Sequence, residues 1–411
     1  MRLLFLDAYF EPEQIAFSHL EKDLLEGLVK AGHEVEIVCP TPTRGVSAET
    51  AREYKNRKSE SLYDGHVHVT RFSAPQEGKD PIIRALRYFW CNWRTYCIGK
   101  RADDIDVVFA NSTPPTQGWI AGKVAKKQNV PFVFSLQDIF PDSLVTTGLT
   151  KEGSLLWKIG RKLEKATYES CSIIIAISDS MKRNLIQKGI KEERIQVVPN
   201  WADLDEIHPI PRAENPLFDE FGIDRDKFIV LYAGNFGAAQ GAEIVLDVAE
   251  KLRNKHDIQF VIFGGGSGYA NAERRAKELR NVFMHPLLPQ ERVSEVYSMG
   301  DVALITCKKG VGKSGMPSKT WSIMACNTPI IASFDLDSDF ANTINESSVG
   351  WVVSPEDADL LYKSIYDAFA DGIKCTNGRR FAFAHASKKQ CVKKYVDEMT
   401  NSRSRYESAD N

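Results

Sequence analysis

FIVLYAGNFGAAQGAEIVLDVAEKL, Phe228 to Leu252, is the stretch that decides the fold. An apolar run, Phe228 to Ala233, enters a glycine-rich turn, Gly234 to Gly241. An amphipathic helical pattern follows from Ala242 to Leu252. The next apolar run, Ile258 to Phe263, again ends in glycines, Gly264 to Gly268. Strand, helix and strand in this order make a βαβ unit, and its strands lie parallel. Glycines at strand ends let backbone N–H groups approach an anion, and the following helix adds its positive end. The bland alternative is that they are tight turns and nothing more.

The same alternation extends in both directions. Apolar runs at Leu3–Ala8, Val35–Cys39, Val67–Phe72, Val107–Asn111, Pro131–Leu136, Ile173–Ile177 and Ile195–Val198 form a first set. A second set is Phe228–Ala233, Ile258–Phe263, Val282–His285, Val302–Thr306, Pro329–Ser333 and Gly350–Val353. Between the sets lies PNWADLDEIHPIPRAENP, Pro199 to Pro216, whose prolines and acidic residues read as a connection. The expectation is two doubly wound parallel-sheet domains, 1–205 and 217–380, joined by a linker at 206–216. A C-terminal helix and polar tail, 381–411, would pack back on the first domain and fray after Asn401. Doubly wound sheets take ligands at the carboxyl ends of their strands, so two of them facing each other would form an interdomain cleft.

Composition excludes several classes. The 411 residues carry a formal net charge of -2, which argues against a nucleic-acid partner. The N-terminus is broken by Asp7 and Glu11 and is no secretion signal, and no apolar run is long enough to span a bilayer. The eight cysteines form no Cys-x-x-Cys pair and read as reduced thiols in a cytoplasmic protein. A nicotinamide fingerprint is missing, because the first strand leads into YFEPEQ without a glycine. CKKGVGKS, Cys307 to Ser314, imitates an ATPase phosphate loop, but its first glycine is absent and Pro317 interrupts the helix that should follow.

GMPSKTWSIMACNTP, Gly315 to Pro329, carries a more specific signal. Proline suits the first helical position, so Pro317 is expected to start a helix with Ser318 and Lys319 in its first turn. The dipole disfavours a lysine there. An anion would compensate, and a diphosphate fits; the alternative is a solvated lysine. Asp335, Asp337 and Asp339 look like a metal-binding Asp-x-Asp but are expected to cap a helix. Ile82 to Arg101 reads as one amphipathic helix with Leu86, Phe89, Trp90, Trp93 and Tyr96 on a broad face. Arg87, Arg94 and Arg101 form a stripe beside it. Two readings stay open: the aromatics pack on the sheet beneath solvated arginines, or the helix lies on an anionic membrane.

The second half resembles the donor domain of retaining GT-B glycosyltransferases that use nucleotide sugars. The residues that carry this are YAGNFGAAQG, FVIFGGGSG, NVFMHPLLPQERVSEVYSMGDVALI, GMPSKTWSIMACNTPIIAS and GWVVSPEDADLL, in the family's order. In the first half YFEPEQ, LVKAGHEVEIVCP, DVVFANSTPPTQG, DIFPDS, AISDSMK and VVPNWAD match as well. Within the class the chain is similar to the fucosamine and colanic-acid transferases of bacterial surface polysaccharide synthesis. The resemblance implies a GT-B fold and transfer from a nucleotide diphosphate donor, a UDP-sugar, to a lipid-diphosphate-linked glycan on the inner face of the cell membrane.

The roles it implies are these. The diphosphate would lie against Gly234, Asn235, Gly237 and Gln240, near Gly265, and at Pro317, Ser318 and Lys319. The base would touch Leu287 and Leu288, and Ser322 would face the ribose. Lys319 and Asp138 would serve the chemistry. Arg87, Trp90, Trp93 and Arg94 would meet the acceptor or the membrane. No metal or other cofactor is expected, since helix dipoles and a cation take its place.

This chain departs from the family pattern in several places. Two family glutamates fall at Ser314 and Ser322, and an arginine–lysine pair falls at Asn235 and Gln240. The catalytic histidine falls near Gln137, with Asp138 beside it. The glycine pair after the first strand is replaced by Glu13-Gln14-Ile15. Asp138 has two readings, orienting the sugar or acceptor hydroxyl, or capping the segment that starts at Pro141. The departures keep a degenerate scaffold subunit in view, and the shared architecture keeps a sugar-nucleotide epimerase in view.

Overall fold

The computed structural model describes residues 1–13, 17–76, 81–146, 148–312, 315–372 and 377–410, without the side chains of 81, 82, 84 and 408–410. Gln14, Ile15, Lys313, Ser314 and Cys375 lie outside the described residues. The chain divides into two compact units, Met1–Pro199 with Lys389–Asn411, and Asn200–Lys388.

The first unit is built on β1 (Arg2–Leu6), β2 (Glu34–Pro40), β3 (Ser59–Leu62), β4 (Val67–Phe72), β5 (Val107–Asn111), β6 (Phe132–Leu136), β7 (Ile173–Ala176) and β8 (Ile195–Val197). Their order is β3-β4-β2-β1-β5-β6-β7-β8. The described pairings are parallel except β3 with β4. The chain runs outward from β1 to β2 and returns to β5 on the other side, which places the topological switch at β1.

The second unit holds β9 (Phe228–Asn235), β10 (Ile258–Gly265), β11 (Val282–Pro286), β12 (Val302–Thr306), β13 (Ile330–Ser333) and β14 (Gly350–Val353). The order is β11-β10-β9-β12-β13-β14, and the described pairings are parallel. Its strands are apolar on both faces because helices cover both. Ile229, Leu231, Val261 and Phe263 enter one core, and Val230, Tyr232, Phe260 and Ile262 enter the other. The expectation of two doubly wound α/β units holds.

Three expectations are corrected. Residues 206–216 are no loose linker but a strap fastened to the second unit. Asn215 is fully buried; it donates to the Glu295 carbonyl at 2.7 Å and accepts from the Leu217 N–H at 3.1 Å. Arg212 pairs with Asp301 at 2.8 Å, and Arg379 donates to the carbonyls of Leu204, Ile207 and Ala325.

The tail after Asn401 belongs to the helix Lys388–Asp410. Tyr395 and Met399 are buried in the first unit, and Tyr395 bonds Ser135 at 3.0 Å. Gly27 leaves the room this helix needs, since a Cβ there would sit 2.2 Å from Val392 Cγ1.

The helix Pro81–Gly99 also turns the other way from the reading in which its aromatics pack on the sheet beneath solvated arginines. Arg87 is buried, donating to the Pro75 carbonyl at 3.0 Å and to Thr43 Oγ1 at 3.0 Å, with Tyr9 under its guanidinium. Arg94 is half-buried over the Phe72 ring. Leu86, Phe89 and Trp93 face solvent, at 65%, 74% and 49% exposure.

Candidate functional site

β9 and β10 lie in register, Gly264 beside Gly234 and Gly265 beside Asn235, so both glycine turns leave the sheet at one edge. The turns are stitched together. Phe236 N–H donates to the Gly265 carbonyl at 2.7 Å, and Gly268 N–H donates to the Phe236 carbonyl at 2.8 Å. Phe236 is buried beneath them, and a Cβ at Gly264 would lie 2.9 Å from its ring. Gly266 has φ +92, and a Cβ there would fall 1.6 Å from Asn235 Oδ1. A Cβ at Gly237 would fall 2.5 Å from Gln240 Oε1. The neutral amides of Asn235 and Gln240 therefore pack into the space the glycines leave.

Lys319 reaches the same edge from the next strand–helix turn. The helix is Lys319–Ala325, with Ser318 at the cap position and no side-chain cap bond. It starts two residues later than the proline expectation. Pro317 stays outside, and its carbonyl accepts from the Thr320 N–H at 3.0 Å and the Thr320 hydroxyl at 2.6 Å.

Lys319 Nζ donates to the Ala233 carbonyl at 2.8 Å and lies 4.6 Å above the Tyr232 ring. Gly234 is the reason it fits, since a Cβ there would meet Nζ at 2.5 Å. Burial of the amine lowers its pKa to about 8, and no carboxylate offsets this among the described residues. The Tyr232 hydroxyl donates to the Asn235 carbonyl at 3.0 Å and holds the turn that carries the site.

The remaining donor-side expectations lie around this edge. Leu287 is exposed beside Gly265, with its N–H on the Gly264 carbonyl at 3.0 Å. Leu288 packs against the core instead. Ser322 is buried on the inner side of its short helix. His285, at the end of β11, is half-buried against Phe221 with ring centroids 4.2 Å apart, and burial lowers its pKa.

Asp335 does not cap the helix that follows it. Its two oxygens accept the N–H groups of Gly310 and Gly312 at 2.9 and 2.8 Å, and Ser338 caps the helix Asp339–Ser347. Among the described residues no group of three or more His, Cys, Asp or Glu side chains could hold a metal ion.

Asp138 belongs to the first unit. Its N–H and that of Gln137 both donate to Ser112 Oγ, at 3.3 and 2.9 Å. Partial burial raises its carboxyl pKa, while bonds from the Ser143 hydroxyl and the Ile139 N–H act in the other direction. These bonds tie it to the turn before the helix Asp142–Thr146.

Sequence reasoning missed the acids at the switch of the first sheet. Asp7 follows β1, is fully buried, and meets Glu21 from the helix Ser18–Lys30. Asn111 Nδ2 donates to Asp7 Oδ1 at 3.4 Å. Burial raises the Asp7 pKa to about 7, and burial with the neighbouring Asp7 charge raises that of Glu21 as well. Glu13, also buried, accepts the N–H groups of Thr43 and Arg44 at 2.7 Å each. The signal available was an acid directly after a buried strand. Tyr232 was missed because it reads as one more core residue of a strand.

Two family models match the chain in tandem, Glycosyltransferase Family 4 over residues 22–206 and Glycosyl transferases group 1 over residues 214–385. The chain is 26% identical over 412 residues to WcaI of Escherichia coli (strain K12), a glycosyl transferase named for colanic acid biosynthesis, covering 97% of this chain and 100% of that one. Among solved structures it is similar to sucrose-phosphate synthase from Thermosynechococcus elongatus, at 16% identity and TM-score 0.74 over 96% of this chain and 97% of that one. It is also similar to Anabaena Alr3699/HepE in complex with UDP, at 15% identity and TM-score 0.71 over 98% of this chain and 100% of that one.

Proposed function

The chain belongs to the GT-B glycosyltransferases, and on that footing we propose that it moves a sugar from a UDP-sugar to a lipid-linked glycan of a bacterial surface polysaccharide, with retention of configuration. The carrying observation is Lys319. It is a desolvated ammonium on a glycine edge, held by a carbonyl and an aromatic face, with no carboxylate to balance it among the described residues. A diphosphate supplies that balance. WcaI supports the polysaccharide assignment, and the UDP in the HepE crystal supports the choice of base.

In the reaction the C1–O bond to the diphosphate breaks as the acceptor oxygen bonds C1 on the same face. The acceptor's proton passes to the departing phosphate oxygen. Lys319 then stabilises the charge that develops on the leaving group, and the glycine edge lets it approach. Asp138 orients the acceptor hydroxyl or the sugar. No metal is needed in this scheme.

A second reading, a scaffold subunit without turnover, rests on two observations. Asn235 and Gln240 are neutral and packed against glycines, and Ser322 is buried. Thermal stabilisation by UDP, GDP, ADP and dTDP, with Lys319→Ala beside wild type, separates the two. A ligand at 100 times its dissociation constant adds about 2.7 kcal/mol. UDP should stabilise the wild type, and Lys319→Ala should lose most of the shift. No shift with any nucleotide would favour the scaffold.

A further inference from the structure

Lys319 is a single cation, whereas a nucleoside diphosphate is charged on both phosphates and gains charge on the leaving oxygen when the sugar departs. The side chains of the glycine turn do not make up the difference, since Asn235 and Gln240 are neutral amides packed against Gly266 and Gly237. A further cation stands beside that turn. Lys308 lies just beyond the end of β12, whose parallel register with β9 brings it to the edge where the glycine turns leave the sheet.

The main chain ties Lys308 to the turn, its N–H donating to the Ala239 carbonyl at 3.0 Å. Gly241, at φ +55, makes way for the side chain: a Cβ there would lie 3.2 Å from Lys308 Cγ. The stem of Lys308 thus crosses the last glycine of the turn, just ahead of the helix Glu243–Lys251, and the residue is exposed. Its own loop is fastened on both sides. The Cys307 N–H donates to the Ser333 carbonyl at 3.0 Å, and Asp335 holds Gly310 and Gly312. A fixed base of this kind lowers the entropy lost when the ammonium settles on a ligand. Nearby acids serve other groups. Glu356 accepts the Lys309 N–H at 3.1 Å, and Glu243 Oε1 lies toward Gly268, 3.5 Å from where a Cβ would stand.

We propose, resting on the UDP-sugar reading, that Lys308 is a second cation of the donor site and contacts the diphosphate across Gly241. Lys319 meets the glycine turn at its first residue, Gly234, and Lys308 meets it at its last. The two differ in kind. Lys319 is desolvated and acts at short range, whereas the exposed Lys308 is open to screening by salt.

The test is calorimetric titration of the full chain with UDP at low and high salt. Lys308→Gln keeps the stem over Gly241 and removes the charge. It should weaken UDP binding about tenfold at low salt and flatten the salt dependence, with the melting temperature of the free protein unchanged. Lys308→Arg should restore most of the affinity, and Lys309→Gln should bind as the wild type does. UDP binding that Lys308→Gln leaves intact overturns the assignment alone, whereas a wild type that binds no UDP overturns the UDP-sugar reading with it. Equal weakening by Lys309→Gln would reveal a diffuse field of the loop and overturn the assignment. So would a loss that Lys308→Arg does not restore and that keeps the wild-type salt dependence, since it would mark a packing role.

Discussion

Lys319 sets a pH dependence that a solvated lysine would not. In the free protein burial holds its pKa near about 8. A bound diphosphate favours the charged form and moves the pKa back up, so binding takes up a proton above that pH. UDP affinity should therefore fall as pH rises above about 8. Titration calorimetry in two buffers of different ionisation enthalpy should show proton uptake in the wild type and none in Lys319→Ala. The buried acids at the first sheet's switch make stability itself depend on pH. The folded state holds a proton at Asp7 up to about pH 7, whereas the unfolded chain releases it near its ordinary value of 3.8. Stability is then fully present below the unfolded value and declines as pH rises toward 7. Asp7→Asn should flatten that slope and raise the melting temperature above neutrality, an effect of the order of a few kcal/mol at most. A steeper slope in the variant would show that the acid is held ionised instead.

At the scale of elements, the turn after β10 is where backbone and side chain constrain each other most closely. Gly266→Ala would put a Cβ on Asn235 Oδ1 in a positive-φ conformation, and should cost about 1–3 kcal/mol while weakening UDP binding through the displaced Asn235. Paired thermal melts with and without nucleotide would separate the two effects. Ser338→Ala should cost about 1 kcal/mol without touching nucleotide binding, since Ser338 caps its helix by accepting the Ala341 N–H. These elements were legible to different degrees. Buried parallel strands announce themselves as apolar runs, and Val67–Phe72, Val107–Asn111 and Val302–Thr306 begin and end where the runs do. β3 left no such mark, because SESL is a short antiparallel edge strand, mostly polar, whose inward face carries Glu60 paired with Arg71. The amphipathic pattern of Pro81–Gly99 was visible, but not its direction. Burial of Arg87 depends on carbonyl and hydroxyl partners at Pro75 and Thr43, which no periodicity reports. The glycine turns and Lys319 were legible because each is a residue type at odds with its local position. Asp335 was misread because its partners, Gly310 and Gly312, come from a turn distant in sequence.

For the whole molecule, the alternation of strands and helices sufficed for two doubly wound units, while the path between them did not show in composition. A proline-rich stretch reads as a connection whether it hangs free or is strapped down. Only partners such as Asp301 and Glu295 tell the difference. The chain passes into the second unit at Asn200 and returns to the first at Lys389. Deleting 389–411 should therefore destabilise the unit it leaves behind and not the one it follows. Cys391, Val392, Tyr395 and Met399 are buried there, and their loss amounts to roughly 6 kcal/mol. Calorimetry of the truncated chain should show the first unit's transition lowered or lost, with UDP still raising that of the second. A single transition lowered as a whole would instead mean that the units melt together. The same passage sets an order of completion during synthesis. When Lys388 leaves the ribosome the second unit has every residue it needs. The first, although translated earlier, still lacks the helix that packs against Gly27 until residues 389–410 emerge.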